Sequence, residues 1–353
     1  MANKQYGKLK IVWHPEKLVS FAEERITAPI YVRLKPTNVC NHHCYYCSYE
    51  PDFNDIREVS RRDELPREKI MEILDDFKDM GVRAVTYSGG GEPLVYPHIT
   101  ETLEKTLRYG IDLSMITNGQ RLNGENAELL KQGKWVRISS DSLNAKLYAE
   151  TRRVPESWFY ELKNNIESFA KTKPKTCELG VNFVVQEKNA EHVYDSVKFF
   201  RELGVDHMKI TPMHVPGKFF EYHKPFKENV IGQIKRAKQD FSDFTIHDTY
   251  EADFNLTETN ERKYDRCYVM QTIPVIAADS KVYFCHDKAY SENGVLGSIS
   301  DKSFKELWFS KEAYEKFMNF DPRQGCRNHC ANDQRNVWIN EMIESKGDHV
   351  NFI

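Results

Sequence analysis

Three of the eight cysteines in this 353-residue chain lie close together, as Cys40, Cys44 and Cys47. Thiolates are soft ligands that favour iron–sulfur clusters, zinc or Cu(I). Three of them leave unfilled the fourth position of a tetrahedral zinc site or one iron of a four-iron cluster. Because the C-x3-C-x2-C spacing differs from the paired C-x2-C of structural zinc, a cluster with one open iron is the leading interpretation. Zinc, or buried thiols that bind nothing, are the alternatives.

A second set of cysteines lies near the C-terminus. Four thiolates can saturate an iron–sulfur cluster, but a zinc site with four cysteine ligands is an open alternative, because spacing alone does not separate the two. The four residues are Cys267, Cys285, Cys326 and Cys330. The eighth cysteine, Cys177, lies beside a predicted strand and is interpreted as a buried thiol without a role.

A glycine-rich stretch, SGGGEP at 88–93, follows another predicted strand. Gly90 and Gly91 let the backbone come close to a ligand, and Glu92 offers a charge complementary to an ammonium group. On its own such a stretch is more often only a turn.

Short β-rich runs alternate with segments of helical spacing, such as 66–80 and 190–204, which predicts a parallel sheet in an α/β fold. Six strands are too few for a closed eight-stranded barrel, so a partial (β/α)6 barrel of the TIM type is favoured over a doubly wound sheet. In either fold the loops after the strands hold the chemistry. The predicted strands are 30–36, 83–89, 111–117, 135–140, 178–185 and 206–212.

The pattern changes after about residue 245, where a hairpin at 273–285 and a helix at 303–320 indicate a small α+β domain. The predicted organisation is an N-terminal segment, a barrel domain and a C-terminal cysteine-containing domain. Their ranges are 1–27, 28–245 and 246–353.

The cysteine loop, with Tyr46 before its last cysteine, resembles the cluster motif of radical S-adenosylmethionine (SAM) enzymes. The resemblance implies a [4Fe–4S] cluster on the three cysteines, whose open iron binds SAM. Reductive cleavage of SAM then gives a 5′-deoxyadenosyl radical that abstracts a substrate hydrogen. SGGGEP resembles the family's GGE(P) segment, which accepts a hydrogen bond from the SAM amino group.

Later segments also resemble family motifs that contact SAM. Thr117-Asn118-Gly119 resembles TNG, and Ser139-Ser140-Asp141 resembles the S-x-D segment, whose serine contacts SAM. Arg152 is placed like the arginine that pairs with the SAM carboxylate, although Arg153 is equally available. The SAM-binding residues implied are Tyr46, Gly90, Gly91, Glu92, Asn118, Ser139 and Arg152; a turn or surface role is the alternative for the last three.

The C-terminal cysteines resemble the Twitch domain, a shortened relative of the SPASM extension, with one auxiliary [4Fe–4S] cluster. In such relatives a substrate radical passes an electron to the auxiliary cluster, so a two-electron oxidation is implied. His286 and Asp287 are candidate proton acceptors beside Cys285, and Tyr49 and His214 are further candidate substrate contacts. The alternative is that His286 and Asp287 only end a hairpin.

The predicted substrate is a small polar metabolite, such as a sugar, cyclitol or nucleotide derivative. Only about 30 residues precede the first strand, whereas peptide-modifying relatives often carry an N-terminal leader-binding domain. A peptide-modifying enzyme that forms a crosslink or an epimer is the alternative within the family. A zinc-stabilised binding module without catalysis is the alternative of another class.

Composition bears on partners and location. The 53 acidic and 50 basic residues nearly cancel, so no nucleic-acid polymer is expected as a partner. Neither a signal peptide nor a membrane span is expected, because no apolar stretch approaches about 18–20 residues. A cytoplasmic location follows, and the resemblance implies a one-electron donor such as flavodoxin or ferredoxin.

Overall fold

The computed structural model describes residues 7, 9–49, 59–258, 262–326, 330–347 and 351. One ten-stranded sheet forms its centre, in the order β10-β9-β8-β1-β2-β3-β4-β5-β6-β7. The strands are β1 (Tyr31–Leu34), β2 (Ala84–Tyr87), β3 (Asp112–Thr117), β4 (Trp135–Ser139), β5 (Glu178–Val185), β6 (His207–Pro212), β7 (Thr245–Asp248), β8 (Val275–Ile276), β9 (Lys281–Tyr283) and β10 (Val295–Ser298).

The α/β class and the open, partial barrel predicted from the sequence are confirmed. Strands β1 to β7 run parallel, each paired with the next. The strand count was too low, because β7 adds a seventh parallel strand beside β6. This four-residue strand, TIHD, has too few apolar residues to stand out as a buried strand. It also lies across the boundary expected at 245/246, and the domain limits remain a prediction.

Helices cover the outer face of the barrel. In the described ranges the α-helices are α1 (Pro15–Ala22), α2 (Arg67–Met80), α3 (Ile99–Arg108), α4 (Gly124–Lys131), α5 (Ala145–Arg152), α6 (Ser157–Thr172), α7 (Val193–Glu202), α8 (Phe219–His223), α9 (Lys227–Asp240), α10 (Tyr250–Glu258), α11 (Phe304–Trp308), α12 (Lys311–Asn319), α13 (Pro322–Gly325) and α14 (Asp333–Glu344). Among the residues described, no helix has the length and apolar character needed to cross a membrane.

The main core lies between the helices and the outer face of the sheet. Helix α2 shows how it forms, because its buried residues Ile70, Ile73, Leu74 and Phe77 recur at helical spacing and so form one stripe. This stripe belongs to the same apolar cluster as Val85 of β2. Burial of each such side chain contributes about 1.5–3 kcal/mol. The helices therefore hold the strands in place, and the loops after the strands stay free for the site.

The C-terminal region continues the barrel sheet. Strand β8 pairs in parallel with β1 and antiparallel with β9, which confirms the predicted hairpin. The single helix predicted at 303–320 is instead two helices, α11 and α12. The break falls at Ser310, whose side chain accepts a hydrogen bond from the backbone N–H of Ala313 and caps α12.

Candidate functional site

The cysteine loop follows β1 and is joined to the glycine loop that follows β2. The backbone N–H of Gly91 donates to the carbonyl of Thr37 at 3.1 Å, and that of Glu92 donates to the carbonyl of Val39 at 2.9 Å. A Cβ atom at Gly91 would lie 2.0 Å from the Val39 carbonyl oxygen. Glycine is therefore required for this close approach of the two loops.

The far side of the cysteine loop is joined to the end of α5. The backbone N–H of His43 donates to the carbonyl of Arg152 at 3.0 Å, and that of Tyr45 donates to the carbonyl of Thr151 at 3.3 Å. Within the loop, the N–H of Cys47 donates to the carbonyl of Cys44 at 3.1 Å. The loop is thus held by two different β/α units.

Two thiols of this loop, Cys40 and Cys44, need a nearby positive charge in order to ionise. Burial, with a smaller contribution from Glu92, raises the pKa of Cys40 to about 12, and burial also raises the pKa of Cys44. A thiolate at these positions requires nearby positive charge, which a metal cluster supplies. The residues present therefore fit a thiolate-bound cluster.

The Glu92 carboxylate joins its own loop, after β2, to the end of β3 and the loop that follows it. Its Oε1 accepts from the backbone N–H of Leu94 at 3.0 Å and from the hydroxyl of Thr117 at 2.6 Å, and its Oε2 accepts from the N–H of Asn118 at 2.7 Å. The carboxyl is buried, which raises its pKa. Because a carboxylate oxygen can accept two hydrogen bonds, Oε2 retains capacity for a further donor.

Asn118 lies at the same rim. Its Nδ2 donates to Asn41 Oδ1 at 2.7 Å, within the cysteine loop, and its Oδ1 accepts from the backbone N–H of Gln120 at 3.0 Å. The structure thus brings the motifs after β1, β2 and β3 together. Ser139 is half-buried at the end of β4, opposite Asn182 of β5.

Arg152 is buried beside the cysteine loop. Its Nη2 donates to Asp141 Oδ1 at 2.9 Å, and its Nη1 lies 3.5 Å from Cys44 Sγ. Its guanidinium is 5.6 Å from the ring centroid of Tyr46. Arg153, the other candidate, is exposed at the end of α5. Asp141 was not selected as a site residue, although its place in the S-x-D segment was the available signal.

The four C-terminal cysteines line one cavity of about 590 Å³. Burial raises the pKa of Cys267 to about 11 and that of Cys330 to about 12. Cys267 Sγ also accepts from Asn336 Nδ2 at 3.3 Å. Within the described ranges, no three His, Cys, Asp or Glu side chains are arranged around a single metal ion. Cavity size and ligand chemistry fit a thiolate-bound cluster.

The remaining candidates occupy different places. Asp287 is exposed and lines the C-terminal cavity, and half-buried His286 precedes it. The Tyr49 hydroxyl accepts from Lys35 Nζ at 2.6 Å, at the end of β1. The ring centroids of His214 and Phe219 are 6.4 Å apart. In the sequence, His214 lies far from both groups of cysteines. Cys177 is buried in the main core.

Comparison with known proteins agrees with this geometry. A model of the radical SAM superfamily matches residues 34–230, and a model of the SPASM iron–sulfur cluster-binding domain matches residues 267–331, which span all four C-terminal cysteines.

Among curated proteins, a probable GTP 3′,8-cyclase of Methanothermobacter thermautotrophicus is 30% identical over 49% of this chain and 54% of its own length. A probable GTP 3′,8-cyclase of Thermococcus kodakarensis is 29% identical over 78% of this chain and 83% of its own length. In several such relatives the match spans only about half to two thirds of the relative, at 54%, 64% and 52%.

Solved structures show the same fold. Streptococcus suis SuiB bound to S-adenosylmethionine superimposes with a TM-score of 0.63 at 17% identity, over 98% of this chain and 79% of that one. Native anSMEcpe with bound AdoMet gives a TM-score of 0.61 at 18% identity, over 89% and 97%. Since the radical SAM model matches more than half of the chain, this protein belongs to the radical SAM superfamily of enzymes, which use SAM and [4Fe–4S] clusters, and it carries a SPASM iron–sulfur domain.

Proposed function

We propose that this enzyme abstracts a hydrogen atom from a small polar metabolite and oxidises it by two electrons. Cys40, Cys44 and Cys47 would hold the SAM-binding cluster, and Cys267, Cys285, Cys326 and Cys330 would hold a single auxiliary cluster. When bound, one cluster supplies the electron that cleaves SAM to methionine and a 5′-deoxyadenosyl radical, and the other accepts the electron that the substrate loses.

The observation that carries this proposal is the position of Asp287. Asp287 lines the cavity of the C-terminal cysteines and follows the β8–β9 hairpin, in which β8 pairs with β1 through Val275 and Arg33. The auxiliary site and the barrel strands are therefore neighbours. A substrate between them would meet the SAM side at one end and a proton acceptor, Asp287 or His286, at the other. One hydrogen atom would leave to the 5′-deoxyadenosyl radical and one proton to the carboxylate or imidazole.

The SAM-binding roles are assigned to the rim residues. Gly90 and Gly91 are assigned backbone contacts with SAM, since Asn38 and Val39 of the cysteine loop fill the space beside their Cα atoms. Asn118 and Ser139 bring polar groups to the strand ends. Oε2 of Glu92 has room for the SAM ammonium as a further donor. Tyr46 and Arg152 border Cys44, and we assign Arg152 to orient the cysteine loop as well as to meet the SAM carboxylate.

The substrate class rests on the sequence relatives. The curated relatives described above are probable GTP 3′,8-cyclases, whose name gives a nucleotide substrate, and this favours a small metabolite here. The alternative is peptide modification, since structural neighbours include SuiB bound to a precursor peptide. That likeness, at 18% identity, extends to the fold alone. We further propose a one-electron donor such as flavodoxin or ferredoxin, and a cytoplasmic location.

The test is an anaerobic assay of dithionite-reduced protein with SAM, with 5′-deoxyadenosine measured by mass spectrometry and pools of deuterated metabolites added. Deuterium carried into the nucleoside would identify the substrate. Wild-type protein should contain about eight irons and eight sulfides per chain. The Cys40→Ala, Cys44→Ala, Cys47→Ala triple variant should retain about four irons and lose SAM cleavage.

A matched variant, Asp287→Asn, should retain both clusters and still cleave SAM but form little oxidised product. Absence of 5′-deoxyadenosine from protein with both clusters would contradict the proposal. Zinc without sulfide would support the binding-module alternative, and deuterium transfer only from a labelled peptide would establish the peptide alternative.

A further inference from the structure

Three basic side chains lie on the inner face of the barrel sheet. On β1, β4 and β6 the residues Val32, Val136 and Met208 pack into the apolar core beneath the helices. Because strand side chains alternate, their neighbours Arg33, Arg137 and Lys209 lie on the opposite, inner face of the sheet. Three cations from three separate strands thus face the inside of the barrel.

Contacts along the inner face support this assignment. The Tyr31 hydroxyl donates to Thr86 Oγ1 at 2.6 Å, and Thr86 Oγ1 lies 2.6 Å from Ser114 Oγ, so these side chains form one inner row. Arg33 is two residues beyond Tyr31 and shares its face. Arg137 stacks on the ring of Trp135, 5.6 Å from its centroid.

The inner face continues from β3 to β6, where Ser114 is opposite Trp135, two residues before Arg137. Arg137 is opposite Gly180, and Gly180 is opposite His207, two residues before Lys209. Any side chain at Gly180 would collide with the His207 ring, 2.2 Å from a Cβ atom. Glycine at this position leaves the space between β4 and β6 to the larger side chains on either side.

The three cations are close enough to influence one another. Burial lowers the pKa of Lys209 to about 8; the charges of Arg137 and Arg33 act in the same direction, and Asp253 opposes them. All three cations are only half-buried in the middle of the sheet. Each side chain therefore keeps part of its surface exposed to solvent.

Within the described part of the chain, two carboxylates act on these cations and two more lie at inner-face positions of the strands. At inner-face positions of β1 to β7 the acidic residues are Asp112 and Glu178, each the first residue of its strand and so at the far end from the loops of the site. Asp253, after β7, acts on Lys209, and Asp287 acts on Arg33. The middle of the barrel thus has cationic character on three of its strands.

We propose that Arg33, Arg137 and Lys209 form an oxyanion-binding site inside the barrel, and that the substrate carries a phosphate or carboxylate group that occupies it. Arginine forks bind such groups with two parallel hydrogen bonds, and lysine adds a point charge. This inference rests on the proposed function, because it names a chemical class for the same substrate. The anionic group would bind below the rim, with the reacting carbon toward the cysteine loop.

The experiment is anaerobic titration calorimetry of protein with both clusters, using inorganic pyrophosphate and succinate as separate probes at constant ionic strength. The variants are Arg137→Gln and Lys209→Gln. The matched control is Lys238→Gln, which removes a cation from helix α9 that pairs with Asp248 at 2.9 Å. Wild type and Lys238→Gln should bind alike, and each barrel variant should weaken Kd by at least about tenfold.

Each outcome decides something. Saturable binding of pyrophosphate assigns a phosphate-bearing substrate, and binding of succinate alone assigns a carboxylate. Absence of saturable binding by either probe, or variants that bind as tightly as wild type, would overturn the proposal. If a variant loses iron or helicity, hydrogen exchange of the wild-type protein is measured instead of binding to the variant. The bound probe should protect the amides of β1, β4 and β6 from exchange. Absence of this protection would count against the site. Binding is measured without turnover, whereas the proposed function is tested by formation of 5′-deoxyadenosine. Failure of one can therefore be distinguished from failure of the other.

Discussion

Arg152 and Asp141 form an ion pair of 2.9 Å whose side chains are 5% and 0% exposed. The same guanidinium lies 3.5 Å from Cys44 Sγ, so this buried pair joins the loop after β4 to the cysteine loop. Gln186 Nε2 also donates to Asp141 Oδ2, at 3.3 Å. The carboxylate of the S-x-D segment, which was not among the predicted site residues, thus holds the arginine that adjoins Cys44.

Replacement of Asp141 by asparagine should destabilise the protein strongly. The substitution leaves a buried guanidinium without its counter-charge, and breaking a buried pair costs about 3–5 kcal/mol. The free energy of unfolding, measured anaerobically with urea, should fall by this order. The control is Asp248→Asn, which breaks the more exposed pair with Lys238 and should cost no more than about 1 kcal/mol. Equal losses in the two variants would show that burial does not govern the Asp141 pair.

Gly91→Ala should displace the cysteine loop. The added methyl would lie 2.0 Å from a backbone carbonyl oxygen, which cannot rotate away as a side chain would. We expect iron content to fall from about eight to about four per chain, with SAM cleavage lost. Gly232→Ala is the matched control, since nothing lies within 4 Å of its added Cβ, and alanine in a helix is favoured by about 0.5–1 kcal/mol. Full iron content in Gly91→Ala would refute the required close approach.

Glu92→Gln should lower the free energy of unfolding, although the two side chains are nearly isosteric. Each carboxylate oxygen accepts from protein donors, so the amide NH2 would face a donor whichever way it points. One buried donor left unsatisfied costs about 1–3 kcal/mol, to be measured as a loss of unfolding free energy. SAM affinity, measured by equilibrium dialysis, should fall as well. Unchanged stability would mean that these hydrogen bonds do not hold the loops together.

Protonation of Glu92 contributes stability, and the pH dependence of this contribution has a defined sign. Its folded-state pKa is raised by burial, so the folded state binds a proton more readily than the unfolded chain. The contribution is fully present below the unfolded pKa of about 4.5 and is lost as pH rises through the folded value. Glu92→Gln should lack this part of the pH dependence, which urea unfolding at a series of pH values would reveal.

Two barrel histidines should make the protein sensitive to mild acid. The rings of His207 and His247 lie 5.0 Å apart, and burial lowers their pKa values from 6.5 to about 3 and about 4. Lowered pKa values mean that the unfolded chain binds protons first, so stability is complete above about pH 6.5 and declines as pH falls toward the folded values. At about pH 5 the loss should be about 2 kcal/mol for each ring.

Comparison of wild type with His207→Gln isolates this effect. The variant should lose less unfolding free energy between about pH 7 and about pH 5 than the wild type, by about 2 kcal/mol. Identical losses in the two proteins would assign the acid sensitivity elsewhere, for example to release of a cluster.

Much of the architecture was evident in the sequence. The apolar runs that alternate with helical segments located six parallel strands. Cysteine spacing grouped Cys40, Cys44 and Cys47 into one loop. Both features depend only on residues that are near one another in the sequence. Strand β7 and the interruption at Ser310 were missed. The first is too short and polar to show a periodic signal, and the second depends on a side-chain cap within a segment of continuous helical spacing.

The sequence by itself determined which residue types meet at the strand ends: thiols, glycines and a carboxylate. Only the tertiary structure decided what each one contacts. Glu92 binds donors that are 25 and 26 residues away in the chain, and Asp141, in the loop after β4, meets Arg152, the last residue of α5. The tertiary structure also placed Arg33, Arg137 and Lys209 on the inner face of the sheet. Hydrogen-bond partners and net charge in a cavity depend on how separate strands align, and this alignment follows from the packing of the whole sheet and its helices.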